Sequence, residues 1–480
     1  MNLEEYSSYD AVGLADLVRR GEIRPAELWA LAAQAVETVN PKLNAVLELF
    51  SARIEGLDEA SIPEGPFRGV PFLMKDVGAA EAGRKQECGS RMLAGIVAEE
   101  DWELMRRFRA AGLVNIGRTA CPEFGLTFTT ESVHSGITCN PWDTGRIAGG
   151  SSGGAGAMVA AGAVPMAHAN DGGGSTRIPA AINGLVGLKC SRGRVSLGPN
   201  FSDLSEFLVS EFAVTRTVRD TAVLLDAVQG GAPGEPFLMQ APARSYLDEL
   251  ADPPRKLKIA YAPGTWLGQP IDPEPGDAVR RTAALCESLG HDVEEAAPEI
   301  NAEAFVESFG SLWSIALVAN VEAISRLTQR PITSDFLEKI TLVIYEFGKA
   351  KSSTAYAEAI AAVDQFARTL GNFFEQYDLL LTPTLAKETP ATGLYGLDRD
   401  GSDFPGWLAE AIAVIPWTPM ANLCGTPAIS LPLAMSQDGL PLGMHFMAGM
   451  GDEATLLGLA GALEEADPWI QRRPAVRVEA

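Results

Sequence analysis

The sequence predicts a layered α/β fold in which helices cover a large and mostly buried sheet. Short apolar runs of strand length alternate with segments whose apolar residues recur at helical spacing. Alternating strand and helix patterns of this kind are typical of a sheet covered by helices. The chain has 480 residues, 46% of them hydrophobic, and is therefore long enough to bury such a core.

The elements of the first half follow one another as strand and helix in turn. Pro25 suits the first turn of a helix, and Gly112 ends another. In chain order the patterns predict a helix from Pro25 to about Val39, a strand Leu43–Phe50, a strand Gly69–Met74, a helix Asp101–Ala111, a strand 113–117, a helix Ser152–Ala163 and a strand Val164–Ala169.

The second half begins with a segment of nearly continuous helical pattern, at about 300–378, punctuated by Pro331. Residues 385–420 are predicted to be a long excursion bearing glycine and proline, of the length that is functional or mobile in compact enzymes. The remaining patterns predict strands Asp378–Leu381, Ala428–Leu433 and Leu442–Phe446 and a closing helix at 453–465.

Composition predicts one compact domain over residues 1–480, because no Ser/Gly/Pro-rich linker divides the chain. The net charge of −24, without a basic stripe, argues against a nucleic-acid partner. The six cysteines show no CxxC pair and indicate reduced thiols. The N-terminus lacks the basic and apolar regions of a signal peptide, and the apolar stretch 155–169 is too short for a bilayer. We expect a cytoplasmic monomer or homodimer that binds no membrane.

Two glycine-rich segments carry the chemistry. One is Gly149-Gly150-Ser151-Ser152-Gly153-Gly154, and the other is Asp171-Gly172-Gly173-Gly174-Ser175-Thr176-Arg177. A serine among glycines can expose its hydroxyl beside several backbone N–H groups. Acyl transfer requires such a nucleophile, an oxyanion hole and a base. Lys75, at the end of an apolar run, can be that base if burial keeps it neutral.

Together these segments resemble the amidase signature family of serine hydrolases. Lys75 matches the family's lysine, Ser151 its bridging serine and Ser175 its nucleophile. The similarity runs from about residue 10 to the end and is strongest in the core signature region 65–220. The resemblance implies a large mixed β-sheet between layers of α-helices, with the insert at about 300–378 shaping the substrate pocket.

The resemblance also implies roles for the neighbours of the triad. The Gly150–Ser151 peptide is expected to be cis, so that the Ser151 hydroxyl relays a proton between Lys75 and Ser175. Ser152 is expected to cap a helix or to support the site, and Asp171 and Arg177 to form an ion pair that braces the loop. The expected oxyanion hole consists of the backbone N–H groups of Gly172, Gly173, Gly174 and Ser175.

The implied activity is that of a stand-alone hydrolase of C–N bonds. The segment Gly193–Pro199 is similar to that of family members that hydrolyse cyclic dimers of 6-aminohexanoate and of relatives that cleave carbamates. The substrate is expected to be a small amide, anilide or carbamate, apolar or aromatic if Phe309, Trp313, Trp407 and Trp417 line the pocket. Departures from the family at Asn170, Cys190-Ser191 and Thr426 leave the substrate open.

Three alternatives remain at this point. Residues 149–153 satisfy G-x-S-x-G, the nucleophile elbow of a Ser-His-Asp hydrolase, but the turn-like segment 140–146 stands where an elbow needs a strand. A glutaminase subunit of a tRNA-dependent amidotransferase normally carries a Ser-Ser-Leu-Asp-Gln run that is missing at 197–203. A binding protein with a silent site is opposed by the intact Lys-Ser-Ser set. No cofactor is expected, and no residue cluster has metal-ligand spacing.

Overall fold

A computed structural model describes residues 1–199, 201–202, 207–252, 255–401 and 403–479. Asn200 and Asp203, within the segment compared with the glutaminase subunits, lie outside this part of the chain. The strands are β1 Val46–Leu49, β2 Pro71–Lys75, β3 Val114–Thr119, β4 Glu131–Ser132, β5 Gly136–Ile137, β6 Met166–Asp171, β7 Val186–Lys189, β8 Ser210–Thr215, β9 Lys258–Tyr261, β10 Asp292–Glu295, β11 Leu379–Pro383, β12 Ala428–Met435 and β13 Pro441–Ala448.

Helices of varied length connect and flank these strands. They are α1 Leu3–Ser8, α2 Ala11–Arg19, α3 Pro25–Leu43, α4 Ser51–Gly56, α5 Glu103–Ala110, α6 Gly153–Ala160, α7 Arg177–Asn183, α8 Val218–Val228, α9 Tyr246–Glu249, α10 Pro273–Ser288, α11 Ala302–Thr328, α12 Lys339–Lys349, α13 Ser353–Phe374, α14 Phe404–Val414, α15 Thr418–Cys424 and α16 Glu453–Ala466.

The predicted α/β fold is confirmed. Eleven strands form one sheet in the order β1-β3-β2-β6-β8-β7-β12-β13-β11-β9-β10, and β4 and β5 pair separately. The sheet is mixed, since β2 pairs in parallel with β3 and β6, whereas β6 and β8 are antiparallel. Every residue of β2, β6 and β8 is buried. Strands buried along their whole length require cover on both faces of the sheet, which the helices supply.

The most consequential parallel pair is β2 with β6, because both strands end at the same edge of the sheet. Lys75 is the last residue of β2, and Asp171 is the last residue of β6. The loop that follows β6 carries Ser175 and leads into α7. The topology therefore brings the lysine and the second glycine-rich segment together, although the two lie a hundred residues apart in the sequence.

The segment 300–378 is helical as predicted and contains α11, α12 and α13. Its apolar side chains form a hydrophobic cluster with residues of α14 and α15. By length and composition α11 could cross a membrane, but half of that stretch is buried inside the protein. We describe α11 as the central helix of this cluster, and the same cluster delivers Phe309 and Trp313 to the glycine loop after β6.

Two predictions about element boundaries are wrong. Helix α3 continues to Leu43, where Asn44 ends it in the left-handed conformation (φ 48°), so strand β1 starts only at Val46. The excursion at 385–420 contains α14 and the start of α15. Proline is compatible with the first turn of a helix, and Pro405 lies in the first turn of α14, after Asp403, which caps it by accepting a hydrogen bond from the Gly406 N–H.

Candidate active site

Lys75 is almost completely buried, at 2% exposure, where β2 ends. Its Nζ lies 2.7 Å from Ser151 Oγ and 2.6 Å from Asn170 Oδ1. Burial lowers the pKa of Lys75 to about 8, although nearby acidic groups oppose the effect. An amine with this pKa is neutral in a substantial fraction of molecules near neutral pH, so Lys75 can accept a proton there.

The loop before α6 aims Ser151 at this lysine. The Gly150–Ser151 peptide is cis, as expected. Thr130 ties the loop from both sides, because its hydroxyl donates to the Gly149 carbonyl at 2.8 Å and accepts from the Gly153 N–H at 3.1 Å. A Cβ at Gly150 would lie 2.6 Å from backbone atoms of residues 128–129. The second glycine of the motif is therefore required by close packing of two backbone segments.

Ser152 occupies the N-cap position of α6 but makes no side-chain capping hydrogen bond. Its hydroxyl donates instead to the Asn170 carbonyl at 3.3 Å. Its backbone N–H donates to the Ser175 carbonyl, also at 3.3 Å. Of the two expected roles, support of the site therefore describes Ser152 better than capping does, since it joins the two serine-bearing segments directly.

Ser175 lies between β6 and α7 and borders an open cleft. The residue before it, Gly174, has φ +130°, a conformation that side chains rarely adopt. A Cβ on Gly174 would lie 2.5 Å from both Ile178 Cδ1 and Thr418 Oγ1. The Thr418 hydroxyl donates to the Gly173 carbonyl at 2.8 Å and so fixes the loop from the side of α15. Glycine is required here by both conformation and space.

One residue of the expected oxyanion hole is already engaged. The Gly174 N–H donates to Asp171 Oδ1 at 2.7 Å, so it points into the protein and is not free for a substrate. The N–H groups of Gly172, Gly173 and Ser175 have no hydrogen-bond acceptor in the described part of the chain. Of the four expected donors, three therefore stay available in this geometry, and the oxyanion hole remains a prediction. The Gly174 N–H is engaged because the tight glycine turn folds back on the aspartate at its start.

Asp171 and Arg177 form the expected ion pair, and both side chains are fully buried. Asp171 Oδ1 accepts from Arg177 Nη2 and from Asn422 Nδ2, each at 2.9 Å, and its Oδ2 accepts from Arg177 Nε at 2.9 Å. Burial would raise the pKa of the Asp171 carboxyl, but the charge of Arg177 and these hydrogen bonds hold it well below its usual value. The pair therefore stays ionised and fixes the turn that bears Ser175.

The histidines bind other partners. His445 Nε2 lies 2.9 Å from Arg177 Nη1, and burial together with this cation lowers the pKa of His445 well below its usual value. His168 contacts Glu211, and His291 Nδ1 accepts from the Leu257 N–H. Within the described residues no hydrogen bond joins a histidine to Ser151 or Ser175, and no strand lies at 138–150 before the serine. This geometry does not provide a Ser-His-Asp triad.

A cleft lies beside Ser175. None of its described lining side chains is charged, and most are aliphatic or aromatic. Its lining comprises Gly125, Leu126, Thr127, Phe128, Gly173, Ser175, Ile178, Phe309, Trp313, Trp407, Leu408, Ala411, Ile412, Ile415 and Pro419. The expected pocket residues Trp313 and Trp407 are among them, as is Phe309.

Trp417 is not among these lining residues. Its ring is 2% exposed and packs toward Trp266, with the ring centroids 6.2 Å apart. The expectation that Trp417 lines the pocket is therefore not met, because Trp417 precedes the first turn of α15 and turns into the cluster around α11. Its neighbour Pro419 reaches the cleft instead.

Sequence reasoning missed the contribution of α14 to the cleft. Leu408, Ala411, Ile412 and Ile415 follow the helical spacing i, i+3, i+4, i+7 and form one wall. This helical spacing can be read in the sequence, but Pro405 and Pro416 on either side of the segment favour the prediction of a loop. In the sequence Asn170 is only a departure from the family, whereas the structure places its amide oxygen 2.6 Å from Lys75 Nζ. No group of three or more potential metal ligands occurs in the described part of the chain.

The chain is similar to known proteins over nearly its whole length. Residues 27–457 match the family model described as Amidase. The chain is 37% identical over 477 residues to the 6-aminohexanoate-cyclic-dimer hydrolase of Paenarthrobacter ureafaciens, covering 97% of this chain and 96% of that protein. It is 31% identical over 476 residues to the acylamidase of Rhodococcus erythropolis, covering 97% of each chain.

A solved structure of 6-aminohexanoate cyclic dimer hydrolase complexed with substrate superposes with a TM-score of 0.93 at 36% identity. The match covers 98% of this chain and 99% of that one. A bacterial aryl acylamidase of the amidase signature family superposes with a TM-score of 0.85 at 26% identity, covering 98% and 99% of the two chains. The chain described here therefore belongs to the amidase signature family and is an amide hydrolase.

Proposed function

We propose that this enzyme hydrolyses neutral amides, anilides or carbamates with an apolar or aromatic acyl group, through Ser175, Ser151 and Lys75. The observation that supports the proposal most strongly is the 2.7 Å contact between the buried Lys75 amine and Ser151, directly beside the loop of Ser175. In this proposal Lys75 is the base, Ser151 is the relay, and Ser175, which lines the cleft, is the nucleophile.

In the proposed acylation step, Ser175 Oγ attacks the carbonyl carbon of the substrate. The Ser175 proton passes to Ser151 Oγ, and the Ser151 proton passes to Lys75 Nζ. The negative charge that develops on the carbonyl oxygen is stabilised by the free N–H groups of Gly172, Gly173 and Ser175. Removing one such donor costs about 10²–10³ in kcat in a well-studied protease.

Collapse of the tetrahedral intermediate breaks the C–N bond. The leaving nitrogen takes a proton from Ser151, which Lys75 reprotonates, so that the base is neutral again. Water then attacks the acyl-Ser175 ester by the same route and releases the acid. With a carbamate substrate, cleavage of the C–N bond by the same proton transfers expels the amine and leaves a mixed carbonate on Ser175, which water hydrolyses to an alcohol and carbonic acid.

The lining of the cleft supports the proposed substrate class. Transfer of an isolated charge into an apolar site is costly unless a partner neutralises it, and the described lining offers none. The rings of Phe309 and Trp313 stack with centroids 5.3 Å apart and an interplanar angle of 27°. They contact the glycine loop, since a Cβ at Gly172 would lie 3.2 Å from Trp313. This wall suits a flat apolar or aromatic group next to the scissile bond.

The test is a substrate panel assayed with the wild-type enzyme and with Ser175→Ala. It compares aliphatic amides, anilides, linear and cyclic 6-aminohexanoate oligomers and aryl dicarbamates, with charged analogues of matched size. We expect hydrolysis of uncharged members with an apolar acyl group and none by Ser175→Ala. Preference for the charged analogues would contradict the substrate class, and an inert wild-type enzyme would support the alternative of a silent binding protein.

A further inference from the structure

Three buried side chains, those of His168, Glu211 and Asn170, close a ring of hydrogen bonds with Lys75. The Lys75 backbone N–H donates to His168 Nδ1 at 3.2 Å, and His168 Nε2 lies 2.5 Å from Glu211 Oε2. Asn170 Nδ2 donates to Glu211 Oε1 at 3.0 Å, and Asn170 Oδ1 lies 2.6 Å from Lys75 Nζ. The ring therefore starts at the backbone N–H of Lys75 and closes at its side-chain amine.

The antiparallel pairing of β6 and β8 builds this ring. His168 and Asn170 are two residues apart on β6, so their side chains lie on the same face. Asn170 is directly opposite Glu211 on β8. A Cβ at Gly78 would lie 2.3 Å from Glu211 Oε1 and 2.5 Å from Asn170 Nδ2. Glycine at position 78 therefore lets the segment after β2 pack directly on the Asn170–Glu211 contact.

Each member of the ring fixes the orientation of the next. Because His168 Nδ1 accepts from a backbone N–H, its proton lies on Nε2, which donates to Glu211. Both oxygens of Glu211 are then occupied as acceptors, and the Asn170 amide must present its nitrogen to Glu211 and its oxygen to Lys75. A reversed amide would place N–H groups against the Lys75 amine and an oxygen against Glu211.

We infer that Asn170, Glu211 and His168 are positioning residues for Lys75, whose amine they hold with its lone pair directed at Ser151. The inference rests on the proposed function, in which Lys75 is the base. A neutral amine has two N–H donors and one lone pair. One N–H donated to Asn170 Oδ1 restricts rotation of the amine, and the remaining contact at 2.7 Å is Ser151 Oγ.

Other titratable groups near Lys75 do not replace Glu211 in this role. The charge of Asp171 acts on Lys75, but its carboxyl is bound by Arg177 and Asn422. Burial raises the pKa of the Cys88 and Cys121 thiols, so both stay neutral at working pH. Among the acidic groups that act on Lys75, Glu211 is the one that is also hydrogen-bonded into the ring.

The test compares Glu211→Gln, Asn170→Leu and the control Glu453→Gln. Glu453 is also fully buried and binds Arg194 and the Ser191 N–H, so its change removes a buried carboxylate away from the ring. For each variant kcat/KM is measured against pH, together with the pH dependence of Ser175 labelling by a phosphonate. Thermal unfolding and circular dichroism establish that each variant is folded.

For Glu211→Gln we expect a plateau of kcat/KM at least about tenfold lower and an acid limb moved by about one unit to lower pH. The plateau falls because glutamine cannot accept from both Asn170 and His168, and the limb moves because a negative charge near the Lys75 ammonium is lost. Asn170→Leu should show both changes, because the Lys75 ammonium then loses the amide oxygen that accepts its hydrogen bond, whereas Glu453→Gln should leave the acid limb in place. A loss of packing alone would lower the plateau without moving the limb.

The inference is overturned if either ring variant is folded and its acid limb stays at the wild-type pH. If Glu211→Gln does not fold, the position of the acid limb in Asn170→Leu alone tests the inference. Failure of the proposed function is distinguishable, because Lys75→Ala would then retain activity. Loss of activity in Lys75→Ala with unmoved limbs in both ring variants would leave the triad intact and refute only the positioning role.

Discussion

Asp171→Asn is the substitution with the clearest structural consequence. Both carboxyl oxygens of Asp171 face donors only: Oδ1 accepts from Gly174, Arg177 and Asn422, and Oδ2 accepts from Arg177 and the Thr176 N–H. An asparagine amide must replace one oxygen by an NH₂ group, and in either orientation that group meets N–H donors. The substitution therefore leaves buried donors unpaired and the Arg177 charge without its counterion.

The size of the expected stability loss in Asp171→Asn follows from the burial of the ion pair. Breaking a buried ion pair by removing one partner costs about 3–5 kcal/mol, because the remaining charge stays buried without compensation. Asp292→Asn is a matched control, since Asp292 contacts Lys256 at 2.7 Å with side-chain exposures of 64% and 61%. An exposed pair of this kind contributes about 0–1 kcal/mol. Because both variants lose one carboxylate at a similar contact distance, the difference between their stability losses measures the effect of burial.

The assay is urea unfolding followed by tryptophan fluorescence, with kcat/KM measured on the folded variants. We expect Asp171→Asn to lose about 3–5 kcal/mol and Asp292→Asn at most about 1 kcal/mol. Activity of Asp171→Asn should fall by about 10²-fold, because the turn that places Ser175 loses its anchor. A stability loss within 1 kcal/mol of the control would refute the reasoning.

Three further predictions concern the base, the turn and the absence of a metal. With a Lys75 pKa of about 8, the neutral base is present above this value and lost below it, so kcat/KM should rise with pH to a half-maximum near 8. Lys75→Ala should lower kcat/KM by about 10²–10⁴-fold, and Lys75→Arg nearly as much because guanidinium stays protonated; near-native activity of Lys75→Arg would contradict the base role. Gly174→Ala should abolish activity, since its Cβ would lie 2.5 Å from two side-chain atoms, whereas Gly268→Ala, also at positive φ but in open space, should retain it. Exhaustive EDTA treatment should leave the rate unchanged, and a metal-reversible loss would refute this.

The sequence predicted the parts of the site that depend on local patterns. An apolar run predicted that Lys75 lies at the end of a strand, and the glycines around Ser175 predicted a tight loop after the strand predicted at Val164–Ala169. Both follow from residue type and spacing within a few positions. The Asp171–Arg177 pair also lies within one turn and was predicted from the same segment.

The features of the site that the sequence did not predict depend on strand register or on side-chain direction. The contact of Asn170 with Glu211 joins residues 41 positions apart and exists only in the observed antiparallel register of β6 and β8. The use of the Gly174 N–H by Asp171 depends on how the turn folds back, which composition does not encode. Trp417 and Trp407 are both aromatic residues of the same region, and only packing distinguishes the one in the cleft.

The central claim is that Ser175 is the nucleophile and that Ser151 and Lys75 activate it. The most direct measurement is to inactivate the enzyme with a phosphonate or sulfonyl fluoride and to locate the adduct by peptide mass spectrometry. We predict a single adduct on Ser175, no labelling of Ser175→Ala, and slower labelling of Ser151→Ala and Lys75→Ala. An adduct on Ser151 or Ser152, or unchanged labelling and turnover in Ser175→Ala, would contradict the account.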